Sequence, residues 1–564
     1  MNKEDTKLYN KFDDLIVVGG GSAGWMTATN LIRKFPNKKI TLVESPNIAT
    51  VGVGESTIGG ISNWLSSLSL NTEENIKEFM KETDGTIKLS IRFEDFYEKG
   101  DGGFHYPFGT PNVFDTLDGV NDWYFKKLSL PQTPITDFAR SFYSQTHMVE
   151  QNTMTDTFPN FNWKKDKAFH FDATKFGLWL KNKICLPAGL IHIKSDIKEV
   201  LKDEENQVTG LVLDNGETLS GNLYFDCTGF KALLTSKAQE TPFIDFSWML
   251  PNDSAWATRL PYKDKRKELN AYTNCTAIEN GWVWQIPLWS RWGTGYVYSS
   301  KYVSDEDALE EFKNYIRKKG YGDMSDDLQY KNIKMRVGRH DTMWNKNVVA
   351  VGLAAGFVEP LESNGLYSVH EFLNVFNIVM QRKDKFNQTD IDYYNDTCAG
   401  VFDNFARFVA MHYALSHRDD TKYWRDIQKR DYSADGHPCF KQMFARRRDN
   451  RFELNEGMQC IGVGLNFWPI DKCEVMLQTC SDDLDTFKIR WRPAIEKLDA
   501  RALKWELEAK KAPSIYDFLN DRYFKDYDEN NRNTQFDPFK GTSIEGRDLC
   551  LLEMMMVLII LKKQ

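Results

Sequence analysis

The first 45 residues switch between two kinds of apolar patterning. Leu15, Ile16, Val17 and Val18 form a continuous apolar run that ends in glycines, which predicts a short buried strand. Residues 22–33 have helical spacing, and Ile40, Thr41, Leu42 and Val43 predict a second buried strand. Strand, helix and strand within about 30 residues make a β-α-β unit. Residues 61–100 carry helix-like segments, whereas residues 101–165 are rich in Gly, Pro, Asn and aromatics and are expected to form long loops. Residues 191–201 and 208–213 predict strands followed by a turn at Asn215 and Gly216, and residues 223–226 predict another buried strand. Residues 255–300 alternate apolar and polar side chains, as an antiparallel sheet does. Residues 347–351 predict a further buried strand, with a helix from about Gly365, and from about 370 onward the pattern is largely helical. The sequence contains no internal repeat and no low-complexity linker.

Composition narrows the function classes. The 564 residues suffice for several cores, and 13% of them are aromatic, which suits a protein that buries flat ligands and equally suits a large aromatic core. The net charge of −8 does not fit a nucleic-acid binder, and the triplet Arg446, Arg447, Arg448 reads as a solvated helix face. Nine scattered cysteines without a CxxC pair argue against a disulfide framework or a zinc site and fit the cytoplasm. His412 and His417 are five apart, and no HExxH occurs, so no metal pattern emerges. The polar N-terminus lacks a signal-peptide core, and the apolar tail at residues 551–561 is interrupted by Glu553 and too short to span a bilayer. No membrane association is expected.

The sharpest local signal is Gly19-Gly20-Gly21-Ser22-Ala23-Gly24 at the strand–helix junction. Gly19 permits a tight turn, Gly21 lets the backbone approach a pyrophosphate, and Gly24 lets helix and strand pack closely. The helix N-terminus then offers free N–H groups and a positive dipole to phosphates. Glu44, at the end of the second strand, is placed to hydrogen-bond ribose hydroxyls. Nucleotide binding follows.

Further motifs choose the nucleotide and carry a family resemblance. Asp226-Cys227-Thr228-Gly229 resembles the D-x-[ST]-G segment of FAD monooxygenase-like folds, and Gly352-Leu353-Ala354-Ala355-Gly356 resembles their late FAD motif. Trp25 and Met26 extend the glycine fingerprint, and Val53-Gly54-Glu55-Ser56-Thr57 is followed by Gly59 where the resembling loop has Pro. His170-Phe171-Asp172, the hexapeptide Trp282-Val283-Trp284-Gln285-Ile286-Pro287, the block at 347–363, Met411-His412-Tyr413 and the segment 419–424 complete the set. Together, in this order, they resemble the flavin-dependent halogenases of the tryptophan halogenase family over most of the first 430 residues.

The resemblance implies an α/β chain: a Rossmann-like FAD-binding fold of the flavin monooxygenase type, interleaved with a substrate module and followed by a mostly helical C-terminal region. It divides the chain into an FAD-binding module over 1–370 and a substrate-pocket module over 371–564. It implies FADH2 supplied by a separate flavin reductase, O2 and a halide, with hypohalous acid passing to a small aromatic substrate. Lys88 and Glu362 are the implied catalytic pair. Gly19, Gly20, Gly21, Ala23, Gly24, Glu44, Ile197, Leu353 and Leu366 are the implied FAD contacts. Ser363, Asn364 and Gly365 are the implied halide site, with Asn364 standing where the family has Thr, which leaves chloride, bromide and iodide open. His105 and Phe108 are the implied substrate contacts, and Trp282 and Trp284 the implied wall between flavin and substrate. Residues 440–564 match the tryptophan-specific members poorly, so indole specificity does not carry over. A homodimer is compatible with this reading. An FAD-dependent aromatic hydroxylase and a non-catalytic flavoprotein are the competing readings.

Overall fold

The computed structural model describes residues 12–48, 55–114, 120–322, 324–381, 385–436, 456–467 and 484–525. The arginine triplet, the apolar tail and Val53-Gly54 lie outside these residues.

A six-stranded sheet forms the nucleotide half. Its order is Trp344–Asn345, Val348–Ala350, Leu223–Asp226, β1 (Asp14–Val18), β2 (Lys39–Glu44) and Ile191–Lys194. All neighbours are parallel except the Trp344–Asn345 edge pair. Parallel strands buried on both faces read as continuous apolar runs, and β1 does, with Leu15, Ile16 and Val17 wholly buried. Helix α1 (Ser22–Lys34) crosses from β1 to β2 and packs on the helix Gly365–Met380. At that contact Asn30 and Asn377 exchange two buried side-chain hydrogen bonds of 2.9 Å each, so neither amide is left unpaired where burial would make that costly.

A seven-stranded sheet forms the second layer. Its order is Lys331–Lys334, Ser254–Leu260, Trp292–Tyr298, Gly281–Pro287, Tyr272–Ile278, Ser90–Glu94 and Gly103–Pro107. The four strands within residues 254–298 form the expected antiparallel array. The WxWxIP hexapeptide lies on the strand Gly281–Pro287 inside it. A small sheet of Glu55–Ser56, Ala168–Phe171 and Thr86–Lys88 joins the two layers.

Three stretches differ from the sequence reading. Helices within 61–100 end at Glu82, and the strands Thr86–Lys88 and Ser90–Glu94 follow. Ile87, Leu89, Ile91 and Phe93 alternate with period two, which is strand spacing, and all four are fully buried. Residues 101–165 are irregular over more than half of their described length, as expected, but they also hold the strand Gly103–Pro107 and the helices Asn121–Ser129, Asp137–Phe142 and Gln145–Gln151. None of these three helices has a side-chain N-cap hydrogen bond, although Thr136 and Ser144 stand at the N-cap positions of the second and third. The run 191–201 divides at Ser195 into strands of two different sheets. Helices dominate the described C-terminal residues, chiefly Gln388–Ala414 and Leu484–Ala509, and no helix among the described residues is long and apolar enough to cross a membrane.

Candidate functional site

The nucleotide cradle is built from backbone. It sits where the carboxyl ends of β1, Leu223–Asp226 and Val348–Ala350 meet, the usual ligand crevice of such sheets. Gly19 has φ +114°, and a Cβ there would lie 2.4 Å from the Cys227 carbonyl oxygen. A Cβ on Gly24 would lie 1.9 Å from the Gly19 carbonyl oxygen, and one on Gly20 would lie 1.7 Å from Glu44 Oε2. The cradle therefore has room for glycine alone. Gly21 caps α1 without a side-chain hydrogen bond, which leaves the first helical N–H groups for a phosphate. Gly352, at φ +69°, would carry a Cβ 2.7 Å from that of Ala23, so the second flavin motif presses directly on the first. Glu44 Oε1 meets His192 Nε2 at 2.7 Å and accepts a hydrogen bond from Lys181 Nζ at 2.9 Å, two partners the sequence did not reveal. Ile197 packs in a side cluster with β1 residues Ile16 and Val18. These features fit FAD, whose adenosine diphosphate part residues 19–24 and Glu44 are the ones that could hold.

The lysine site is built from side chains. Lys88 is completely buried at the end of Thr86–Lys88, where it pairs with Ala168. Its Nζ donates to the Thr57 carbonyl at 3.0 Å and to Ser363 Oγ at 2.7 Å, and lies 5.0 Å from the centre of the Phe108 ring. Burial pulls its pKa from 10.5 down to about 7, against the opposing pull of Cys275 and Glu362. That fall amounts to roughly 5 kcal/mol against the ammonium. A desolvated cation–π contact offsets only about 2 kcal/mol, so burial wins. Near neutral pH both ammonium and free amine are present.

Glu362 ends the short turn Pro360–Glu362, and Ser363 follows in the left-handed conformation at φ +58°. That reversal places Ser363 Oγ on Lys88 and starts the helix Gly365–Met380 at Asn364. Glu362 is buried, and burial raises its pKa, with His412 and Lys88 pulling the other way. Its Oε1 is 2.8 Å from His412 Nε2, and its Oε2 has no hydrogen-bond partner among the described residues. A buried carboxyl with open acceptor sites is poised to take a proton. His412 is itself held by Phe93, whose ring centre is 4.7 Å away. Leu353, Asn364 and Gly365 line a cavity of about 20 Å³, which has room for one water-sized species. Leu366 begins the helix behind it.

Phe108 and His105 part company. Successive strand residues face opposite sides. Phe104 and Tyr106 stand on the face that meets the helix Gln388–Ala414, where Tyr106 packs on Phe108 and Phe408. His105 faces the other side, with Nδ1 3.0 Å from Ser90 Oγ and its ring against Tyr272. The structure brings Phe108 to Lys88 and does not bring His105. The period-two spacing of Phe104, Tyr106 and Phe108 was the signal that selects Tyr106. A Cβ on Gly457 would lie 2.6 Å from the Tyr106 hydroxyl and one on Gly464 2.2 Å from the Phe104 ring, so the helix Glu456–Gly464 packs its backbone onto this aromatic face.

The hexapeptide has an anchoring role at each end. Trp282 Nε1 donates to Glu359 Oε2 at 2.9 Å, which also accepts from the Tyr413 hydroxyl at 2.6 Å and Asn252 Nδ2 at 2.8 Å. The Pro287 carbonyl accepts from Thr86 Oγ1 at 2.5 Å. One end thus fixes the turn that carries Glu362, and the other fixes the strand that carries Lys88.

Comparison with known proteins agrees with this geometry. The sequence profile of the tryptophan halogenase family matches residues 14–476. The chain is 32% identical over 432 residues to the tryptophan 6-halogenase ThaL of Streptomyces albogriseolus, covering 74% of this chain and 79% of that protein. It is 32% identical over 497 residues to the tryptophan 7-halogenase KtzQ of Kutzneria sp. (strain 744), covering 82% and 90%. The VirX1 apo structure superposes with a TM-score of 0.83 at 35% identity, over 91% of this chain and 99% of that one. The crystal structure of the tryptophan 6-halogenase SttH of Streptomyces toxytricini superposes with a TM-score of 0.76 at 30% identity, over 90% and 99%. With its glycine cradle, its buried Lys88 and its fold in agreement, the chain belongs to the tryptophan halogenase family, as a divergent flavin-dependent member.

Proposed function

We propose that the chain halogenates an electron-rich aromatic small molecule, using FADH2 from a separate reductase, O2 and chloride, bromide or iodide. The observation that carries this reading is the hydrogen bond from Lys88 to Ser363, across 275 positions, which places the lysine beside Glu362 in one buried site.

Bound reduced FAD supplies the electrons with which O2 oxidises halide to hypohalous acid. The rest falls to the protein. Thr57 and Ser363 occupy two N–H bonds of Lys88. As ammonium, its third N–H polarises the oxygen of hypohalous acid. As amine, its lone pair takes the halogen, giving a haloamine and releasing water. Glu362 stabilises the positive ring intermediate and accepts the ring proton, which restores aromaticity. The N–H groups of Asn364 and Gly365, at the helix N-terminus beside the small cavity, hold the halide, whereas Ser363 spends its N–H on the Pro360 carbonyl and its hydroxyl proton on Ser56. The Asn364 amide can turn its NH2 toward the anion. Phe108 and Tyr106 face the substrate. In this reading residues 1–370 hold the flavin and, through the interleaved antiparallel sheet and its loops, also face the substrate; residues 371–564 complete the substrate pocket, and Trp282 and Trp284 stand between flavin and substrate. The protein acts in the cytoplasm, and a homodimer is compatible with it.

The test supplies a flavin reductase, FAD, O2 and bromide to a mixed aromatic panel, read by mass spectrometry. A bromine isotope doublet supports halogenation. A product with one added oxygen and no bromine establishes hydroxylation instead, and flavin binding without any product establishes a non-catalytic flavoprotein.

A further inference from the structure

A line of buried hydroxyls and one imidazole leads away from Lys88. Lys88 Nζ donates to Ser363 Oγ at 2.7 Å, and Ser363 Oγ donates to Ser56 Oγ at 3.0 Å. Ser56 Oγ is 2.6 Å from Thr273 Oγ1, which is 2.9 Å from His170 Nε2. His170 Nδ1 is 3.0 Å from Thr86 Oγ1, which donates to the Pro287 carbonyl at 2.5 Å. Lys88, His170 and Thr86 are wholly buried, and Ser56, Thr273 and Ser363 nearly so. The six side chains come from five separate stretches of sequence.

Elementary donor and acceptor counting orients every proton in this line. A carbonyl only accepts, so the single Thr86 proton is committed to Pro287, and Thr86 accepts from His170 Nδ1. Burial and the nearby Lys88 charge hold His170 neutral, so its Nε2 is bare and accepts from Thr273. Thr273 then accepts from Ser56, Ser56 from Ser363, and Ser363 from Lys88. No hydroxyl can reverse without breaking a bond. Ser363 is therefore an acceptor toward Lys88 in both protonation states of the lysine. Its proton never reaches the amine lone pair, which stays free for the pocket.

We propose that His170 is a positioning residue whose fixed tautomer, relayed through Thr273, Ser56 and Ser363, keeps the reactive valence of Lys88 free. This rests on the reading of Lys88 as the working amine. The charged and titratable groups around Lys88 are Cys275, Glu362 and His170, with His412 behind Glu362.

Cutting the line lets it run backward: Thr273 or Ser56 donates toward Ser363, and Ser363 donates to the amine. A hydrogen bond to the neutral form favours that form, so the Lys88 midpoint falls. The experiment follows Lys88 by NMR in full-length protein carrying 13C-ε lysine, with its resonance assigned by its loss in Lys88→Met. The wild-type midpoint lies near 7. In His170→Phe and in the near-isosteric Thr273→Val it falls by about one pH unit. In His170→Gln, whose amide supplies one donor and one acceptor, it returns to the wild-type position. Retained flavin absorbance confirms that each variant is folded. Equal midpoints in wild type, His170→Phe and Thr273→Val overturn the proposal, as does a fall in His170→Phe alone, which marks a merely local packing effect. A midpoint that moves as stated in a protein that never halogenates sinks the functional reading and leaves the relay standing.

Discussion

The glycine cradle and the lysine site lie in one molecule but are specified in opposite ways. The cradle is backbone: Gly19, Gly20 and Gly24 matter for the side chains they lack, and a Cβ at each would meet an atom within 2.4 Å. Its parts are consecutive, so spacing alone reveals them. The lysine site is side chain throughout, drawn from residues 56 and 57, 86 to 88, 108, 170, 273, 362 and 363, and 412. Among the described residues Lys88 has one backbone acceptor, the Thr57 carbonyl. A contiguous backbone site tolerates almost no side-chain change but needs little support. A dispersed side-chain site depends on whatever holds its pieces together, and here that is the hexapeptide, through Trp282 to Glu359 and through Pro287 to Thr86.

The sharpest way to break this contrast is Gly24→Val. Its side chain has no space against the Gly19 carbonyl, so flavin absorbance and halogenation disappear together; a variant that keeps its flavin contradicts the cradle. Glu362→Gln removes the proton acceptor and keeps the shape. Its turnover falls by about 10²-fold while flavin affinity holds, as steady-state kinetics and fluorescence titration would show.

Stability supplies a third comparison. Lys88 binds a proton with a pKa of 10.5 when unfolded and about 7 when folded. Between those values the unfolded chain holds more protons, so this group makes stability rise with pH, by up to about 1.4 kcal/mol per pH unit. The cost of burying the ammonium is fully present below the folded value. Denaturant titrations of wild type and Lys88→Met therefore converge as pH rises through this window, and parallel curves count against a titrating buried lysine. The smallest effect belongs to Asn364→Thr. It changes the bromide-to-chloride product ratio by about ten-fold or less, the scale of one hydrogen bond, and leaves flavin binding alone.

What was legible follows the same division. The parallel strands, α1 and the antiparallel array could be read because apolar runs and alternation encode burial directly. The strand that carries Lys88 was hidden in a helix-like reading, because Ile87 to Phe93 is covered on both faces and buries Lys88 and Ser90 as well. The helices within 101–165 are 9, 6 and 7 residues long, too short for a helical period to stand out from the sequence. Lys88, Glu362 and Phe108 were reachable through family resemblance and through nothing in composition. The Thr57 carbonyl has no sequence code, and His170, Thr273 and Ser56 become neighbours only after two sheets assemble. His105 and Tyr106 are neighbours on a strand and so face opposite sides, and it is Tyr106 that packs on Phe108.

The central claim is that flavin chemistry and halogen transfer occupy separate sites, the second defined by Lys88. The direct measurement is a parallel assay of wild type and Lys88→Met, with reductase, bromide and the aromatic panel, recording flavin affinity, enzyme-dependent reduced-flavin oxidation and brominated product. Unchanged flavin affinity and oxidation, with brominated product reduced by roughly 10³-fold or more, is the predicted result. Brominated product from Lys88→Met at the wild-type rate, or loss of flavin from it, contradicts the account.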